Sequence, residues 1–271
     1  MTGSLGHEHM APVIVAALDG SAPSRCTTVV AAGLIKRMGW RLALVPVPLA
    51  ATAADRRRRL IDAASDEGAA LIAIPATDHG SAGGKAAACL ALAVSAPCPV
   101  LAVPFRGGTE LALNGPVVCG IDGAESSAPT ARAAARLALA LGAGLELVHV
   151  VAPGGDGAAP SVDRRTPFSG LVWRALRSLD AIPPVEVVIE LGDPAGRLCA
   201  LAESELGLLV IGAPVNRDAE GEGLLAATIL TESHVPVAVV PAGALTPQAP
   251  WSERSRRLLS ATRAPLSARS W

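Results

Sequence analysis

The feature that most constrains what this chain can fold into is an internal repeat. Val13-Ile-Val-Ala-Ala-Leu-Asp19-Gly20 returns as Pro116-Val-Val-Cys-Gly-Ile-Asp122-Gly123, 103 positions on. The same spacing relates Met38-Gly39-Trp-Arg-Leu-Ala-Leu-Val-Pro-Val47 to Leu141-Gly142-Ala-Gly-Leu-Glu-Leu-Val-His-Val150. Further on, Ala70–Ile74 and Pro99–Pro104 return at Gly207–Ile211 and Pro236–Pro241, now 137 positions on. A repeated order of elements implies the same layout built twice. Register holds at both ends, so the difference between the halves is confined to the middle, where the second carries 34 additional residues.

Those residues are legible. After a strand ending near Val151 come a Gly/Pro loop at Pro153–Pro160, a helical pattern over Phe168–Leu179 and an apolar strand over Val185–Glu190. A helix and a strand make about one βαβ crossover of ~30 residues. The first half skips it, running from a strand at Leu42–Val47 through Pro48–Ala51 into a helix that starts at Ala53. Four parallel strands are therefore expected in the first half and five in the second. The strands are continuous apolar runs, as in sheets covered on both faces. Between them lie Ala/Arg/Leu helices such as Arg25–Met38 and Ser127–Leu141, with Gly39 and Gly142 placed to stop them. The fold class is α/β: two tandem nucleotide-binding-like, Rossmann-like parallel-sheet domains, the first lacking one helix–strand unit. The expected organisation is a flexible N-terminus (1–11), a first abbreviated domain (12–104), a linker (105–115), a second domain (116–242) and a basic, disordered tail (243–271).

Composition narrows the function classes. A hydrophobic fraction of 51% with mean hydropathy +0.42 excludes a largely disordered chain. A net charge of −1 gives no pull toward nucleic acid or an acidic membrane. With 2% aromatics and no Tyr, a stacking platform for single-stranded nucleic acid is not expected either. Cys26, Cys89, Cys98, Cys119 and Cys199 contain no C-x-x-C and sit in apolar stretches, which suits buried thiols in a reducing cytoplasm. Met1–Met10 has no basic-then-apolar signal pattern, so a cytoplasmic protein is expected. Ala86–Phe105 is uncharged and long enough to span a bilayer, but Pro97, Pro99 and Pro104 interrupt it, and it reads as a helix feeding a strand.

The diagnostic segments occur in a fixed order. The first half has a strand ending Leu-Asp19-Gly20-Ser21 and a terminal Ala96-Pro-Cys-Pro-Val-Leu-Ala-Val103. The second has Ile121-Asp122-Gly123, Gly192-Asp193-Pro194-Ala195 opening a helix, Leu208-Leu-Val-Ile-Gly212 and His234-Val-Pro-Val-Ala-Val-Val240. Over residues 12–104 and 115–241 this series resembles universal stress protein domains, in tandem. The resemblance implies a nucleotide-binding-like fold, adenine-nucleotide binding in many members, dimerisation through the last strand, and often no catalysis.

In an open parallel sheet a ligand sits beyond the strands' carboxyl ends, at the switch in strand order. That points to the loops after Leu18 and Ile74, and after Ile121 and Ile211. The family's ATP-binding branch has Gly, two residues, Gly, nine residues, Gly, then Ser or Thr. In the second half only Gly212 keeps that pattern; Val215, Leu225 and Ala226 replace the rest. In the first half Pro75, Asp78 and Ala88 replace all three glycines. Gly80-Ser-Ala-Gly83-Gly84-Lys85 is phosphate-friendly in composition and precedes a helix, but its spacing is not that of a P-loop. The candidate nucleotide residues are Asp19, Gly83, Gly84, Lys85, Asp122 and Gly212. Asp19 and Asp122 also suit an Asp-Gly turn, in which the carboxylate accepts backbone N–H bonds.

Arg56–Arg59 follows a capping-box-like Thr52-Ala-Ala-Asp55 and reads as a solvated helix face, with an anion or partner patch as the alternative. His149 reads as a packed histidine. His79, Asp78 and Ser81 are neighbours without a nucleophile elbow, and His7 and His9 are too isolated for a metal site. No catalytic or metal-ligating constellation emerges. The functional reading is a regulatory or stress-adaptation module, with ATP or another adenine nucleotide as the one ligand class implied. The alternatives are an adenine-nucleotide-hydrolysing enzyme and a partner-binding scaffold without ligand. The halves are expected to pair as an intramolecular pseudo-dimer through Val100–Val103 and Val237–Val240; a homodimer and an unidentified regulatory protein are the other partners considered, with neither nucleic acid nor membrane.

Overall fold

In a computed structural model, residues 11–76, 84–105, 113–122, 127–152, 170–214 and 222–242 are described, apart from the side chains of Lys85, Leu171, Val172, Arg174 and Glu222. The N-terminal segment, the stretch 106–112 and the basic tail lie outside these residues, as do His79, Asp78, Ser81, Gly83 and Val215. The elements alternate. First come β1 (Val13–Leu18), α1 (Ala22–Met38), β2 (Arg41–Pro46), α2 (Ala53–Asp66), β3 (Leu71–Ala76), α3 (Gly84–Ala93) and β4 (Val100–Pro104). Then follow β5 (Val117–Gly120), α4 (Ser127–Leu141), β6 (Leu145–Val151), α5 (Leu171–Arg177), β7 (Val185–Leu191), α6 (Pro194–Ser204), β8 (Leu208–Gly212), α7 (Glu222–Glu232) and β9 (Val237–Val240).

Local chemistry sets the boundaries. Ser21 caps α1, its hydroxyl accepting from the Ser24 N–H, and Pro23 preorganises the first turn. α1 therefore starts at Ala22, three residues before the expected Arg25. Gly39 and Gly142 end their helices at φ of 70° and 64°, where a side chain would be strained. Thr52 and Asp55 form the anticipated box: the Asp55 N–H donates to the Thr52 hydroxyl, which donates to the Asp55 carboxylate. Asp193 caps α6 through the Gly196 N–H at 2.7 Å. The uncharged Ala86–Phe105 stretch is shared between α3 and β4, and no described helix is long and apolar enough to cross a membrane.

The strands form one nine-stranded sheet in the order β2-β1-β3-β4-β9-β8-β5-β6-β7. Within each half all pairings are parallel. The halves meet antiparallel, with Val100 opposite Val239, Leu101 opposite Ala238 and Ala102 opposite Val237. Four strands belong to the first half and five to the second; the additional one is β7, delivered by α5.

Each sheet face carries a core that draws on both halves. One face packs Leu60, Cys89, Leu198, Ile229 and Val239 under α2, α3, α6 and α7. The other packs Ile14, Leu34, Ala134, Leu147 and Leu176 under α1, α4 and α5. Both faces of the central strands are therefore buried, which is why their sequences are uniformly apolar. Two further contacts tie the halves. The Arg37 guanidinium, near the C-terminus of α1, donates to the Leu113 carbonyl and, at 3.1 Å, to the Leu141 carbonyl at the end of α4. Gly115 enters the second half against the turn after α6, where a Cβ would stand 1.8 Å from the Glu205 carbonyl oxygen.

Candidate functional site

The antiparallel junction has a geometric consequence. The strands' carboxyl ends, where a ligand of such a sheet sits, emerge at opposite ends of the sheet in the two halves. There are two switch points, between β1 and β3 and between β5 and β8, and they do not share a crevice.

At the first, the chain leaves β1 through Asp19. Its Oδ1 accepts from the Ser21 N–H at 2.9 Å, and the Asp19 N–H donates to the Ser24 hydroxyl at 3.4 Å. The side chain is 5% exposed, covered by Arg56, whose Nη1 lies 3.7 Å from Oδ2. Arg56 is itself anchored: it donates to the Leu49 carbonyl at 2.7 Å and to the Ala51 carbonyl at 3.2 Å. Burial alone would raise the Asp19 pKa, but the Ser21 and Ser24 hydrogen bonds and the Arg56 charge outweigh it and hold the carboxyl below its ordinary value. Asp19 is thus an ionised group committed to the β1–α1 turn and to an internal cation. Nearby, Arg25 donates to the Gly20 carbonyl at 2.5 Å.

The second switch point repeats half of this. Asp122 leaves β5, its N–H donates to the Ser127 hydroxyl at 3.1 Å, and that hydroxyl donates to the Asp122 carboxylate. Ser24 and Ser127 are related by the same 103-residue offset as the two aspartates, so Asp-x-x-x-x-Ser is a repeated turn lock. His149 on β6 is half-buried and its Nδ1–H donates to the Ile121 carbonyl at 3.0 Å, tying β6 to the same loop. Gly212 ends β8 exposed, beside α4: a Cβ there would lie 3.0 Å from the Thr130 hydroxyl.

The remaining sequence candidates divide. Gly84 opens α3 at φ 69°, and Lys85 follows in its first turn. Gly83 lies outside the described residues, as does the Lys85 side chain, and the phosphate cradle they were expected to form lies with them. Ala88 sits mid-helix in α3, exposed to solvent. Ala226, where the family pattern puts a phosphate-binding hydroxyl, is 4% exposed and packed in the core beneath α7. A triphosphate therefore finds an internal arginine over the acid of the first half, and a buried methyl in place of a hydroxyl in the second. Among the described residues, no cluster of three His, Cys, Asp or Glu is placed to hold a metal. Burial pushes the Cys89, Cys98 and Cys119 thiols up to about 12, far from nucleophilic character.

Sequence reasoning passed over Arg56, reading it as part of a solvated run, and the two serines. The serines carried a usable signal, their shared offset with the aspartates. Arg56 carried none, because its partner is distant in sequence and the contact depends on how α2 enters over the end of β1.

Comparison with known proteins gives a consistent picture. Residues 114–241 match the universal stress protein family, so the second half carries a domain of that family. A search of curated proteins finds no match. Among solved structures, a universal stress protein from Archaeoglobus fulgidus DSM 4304 superposes with TM-score 0.55 at 15% identity, over 86% of this chain and 97% of that one. A putative universal stress protein from Pseudomonas aeruginosa UCBPP-PA14 aligns over 92% of this chain and 86% of its own at 16% identity, with TM-score 0.49. The first likeness shows the fold; the second is too loose to carry more.

Proposed function

We propose that this chain is a non-catalytic regulatory module of the universal stress kind, in which both halves derive from the same domain and act as one body in the cytoplasm. The observation that carries the reading is the Asp19–Arg56 pair. The acid that would face a nucleotide in the first half serves the internal architecture instead. The capped, hydrogen-bonded turns at both switch points support a role in holding shape rather than in chemistry. An adenine-nucleotide hydrolase would need a phosphate loop with a base or metal ligand, and the described residues offer no such set. What favours a residual adenine-nucleotide response is Gly212, exposed at the carboxyl end of β8 and beside Thr130 of α4.

The experiment is to purify the full chain, denature it, and analyse the released small molecules by mass spectrometry. The proposal expects no stoichiometric ATP and no ATP turnover by the purified protein. Hydrolysis abolished by Asp122→Asn would replace it with the enzyme reading, and stoichiometric ATP without turnover would replace it with a nucleotide-binding module.

A further inference from the structure

The sheet has two ends, and they are not alike. In the second half β6 is an interior strand, covered along its outer side by β7 in register from Leu145–Val185 to Val151–Leu191. Its counterpart in the first half is β2, since Leu42 and Leu145 are related by the repeat offset. The first half lacks the helix–strand unit that would cover it, so among the described residues β2 ends the sheet with no strand on its outer side.

The polarity of that outer side follows from the ladder. The Arg41 N–H donates to the Pro12 carbonyl and the Val47 N–H to the Leu18 carbonyl, both toward β1. In a parallel pair alternate residues direct both backbone groups to the same side. The odd-numbered residues of β2 therefore face β1. Leu42 and Leu44 direct N–H and C=O outward, and Pro46 directs only C=O outward. Leu44 is 45% exposed and Leu49, just beyond the strand, is 64% exposed. An unprotected apolar edge of this kind is a template for another strand.

The opposite edge is protected. β7 carries Glu186 and Glu190 on one face, with Glu146 of β6 directly opposite Glu186. Burial and the Glu186 and Glu205 charges already hold the Glu146 carboxyl above its usual range. Antiparallel self-pairing of β7 would bring the glutamates of two copies onto one face, and like charges across strands are unfavourable.

We propose that β2 is a self-association edge, and that two copies of this chain pair antiparallel through it to continue the sheet across a two-fold axis. Centred on Leu44, the pair closes two bonds between the Leu44 backbones, and each Leu42 N–H reaches the Pro46 carbonyl of the other copy. The missing Pro46 N–H falls at the ends of this ladder, where it costs one bond on each side and limits the interface to a short strand. Arg41, the only charged residue of β2, lies outside the central pairs. The two Leu44 side chains become direct cross-strand neighbours. The contact is small, below the ~1,200 Å² of stable complexes, so the dimer exchanges with monomer.

The test is oxidative cross-linking of the full chain. In a hydrogen-bonded antiparallel pair opposed Cα atoms lie ~5.5 Å apart, within disulfide range. Leu44→Cys should form a reducible covalent dimer under mild oxidation. Val187→Cys on the opposite edge and the wild-type chain, whose Cys26 is half-buried, should not. Leu44→Lys, judged folded by circular dichroism, should move sedimentation at high concentration from dimer–monomer exchange to monomer. A monomeric wild type, equal cross-linking through Val187→Cys, or an association that survives Leu44→Lys would each overturn the proposal.

Discussion

Replacing Arg56 by Ala removes three contacts together: the donations to the Leu49 and Ala51 carbonyls and the charge 3.7 Å from Asp19. A net hydrogen bond is worth about 1 kcal/mol. An exposed ion pair gives about 0–1 kcal/mol and breaking a buried one costs about 3–5. With side-chain exposures of 26% and 5% this pair lies between those limits. Arg56→Ala should therefore cost about 3–5 kcal/mol. Asp19→Asn keeps an oxygen for the Ser21 N–H but loses the charge, and should cost about 1–1.5 kcal/mol. The double variant should fall short of the sum by about 1 kcal/mol, the coupling of the pair. Urea unfolding followed by tryptophan fluorescence measures all four corners. Because the folded Asp19 pKa is held below the ordinary carboxylate value, the charged form stabilises above that range and the contribution is lost as pH falls through the depressed value. The wild-type advantage over Asp19→Asn should be flat from neutral pH down to about 5 and shrink below about 4. Strict additivity within 0.3 kcal/mol, or a neutral Arg56→Ala, would show that Arg56 is a solvated residue and that the first switch point is not held by this pair.

The shared cores predict that the halves melt together. Val239→Ala, at a fully buried position opposite Val100, should cost about 1–3 kcal/mol and lower a single calorimetric transition, whereas two separated transitions would refute the shared cores. Val239→Arg adds an uncompensated buried charge and should leave little folded chain. Glu146→Gln should stabilise by about 0.5–1 kcal/mol at pH 7 by relieving repulsion from Glu186 and Glu205. The raised folded pKa means that this strain grows as pH rises through it, so the gain should vanish toward pH ~4, where both states bind the proton; a gain independent of pH would rule out the electrostatic cause.

Much of the fold was legible because the chain states it twice. The offsets of 103 and 137 located the helix–strand unit that became α5 and β7, and Gly39, Gly142 and the Thr52 box marked helix ends whose chemistry is local. α5 spans only Leu171–Arg177 within the longer apolar pattern, because Ser178 and Leu179 turn back onto the Ala175 and Leu176 carbonyls. What the sequence could not carry is non-local. A strand apolar on both faces has the same pattern whichever helices cover it, so the sharing of each core between halves has no period to read. Asp19 and Arg56 are 37 positions apart, and nothing in a run of four arginines singles out the one that turns inward. Arg37 likewise reads as a helix-end cation until the Leu113 and Leu141 carbonyls are brought to it.

The account rests on switch points furnished from within the chain rather than by a triphosphate, and calorimetric melting of the full chain with ~1 mM ATP tests this most directly. A site with Kd near 10 μM would be at about 100 Kd and would stabilise the fold by about 2.7 kcal/mol. At roughly 2–4 °C per kcal/mol for a chain of this size class, that is a shift of several degrees. The account predicts a melting temperature unchanged by ATP. A rise of several degrees, lost on Gly212→Val, would show that a nucleotide is accommodated despite Ala226 and the degenerate glycines, and would contradict it.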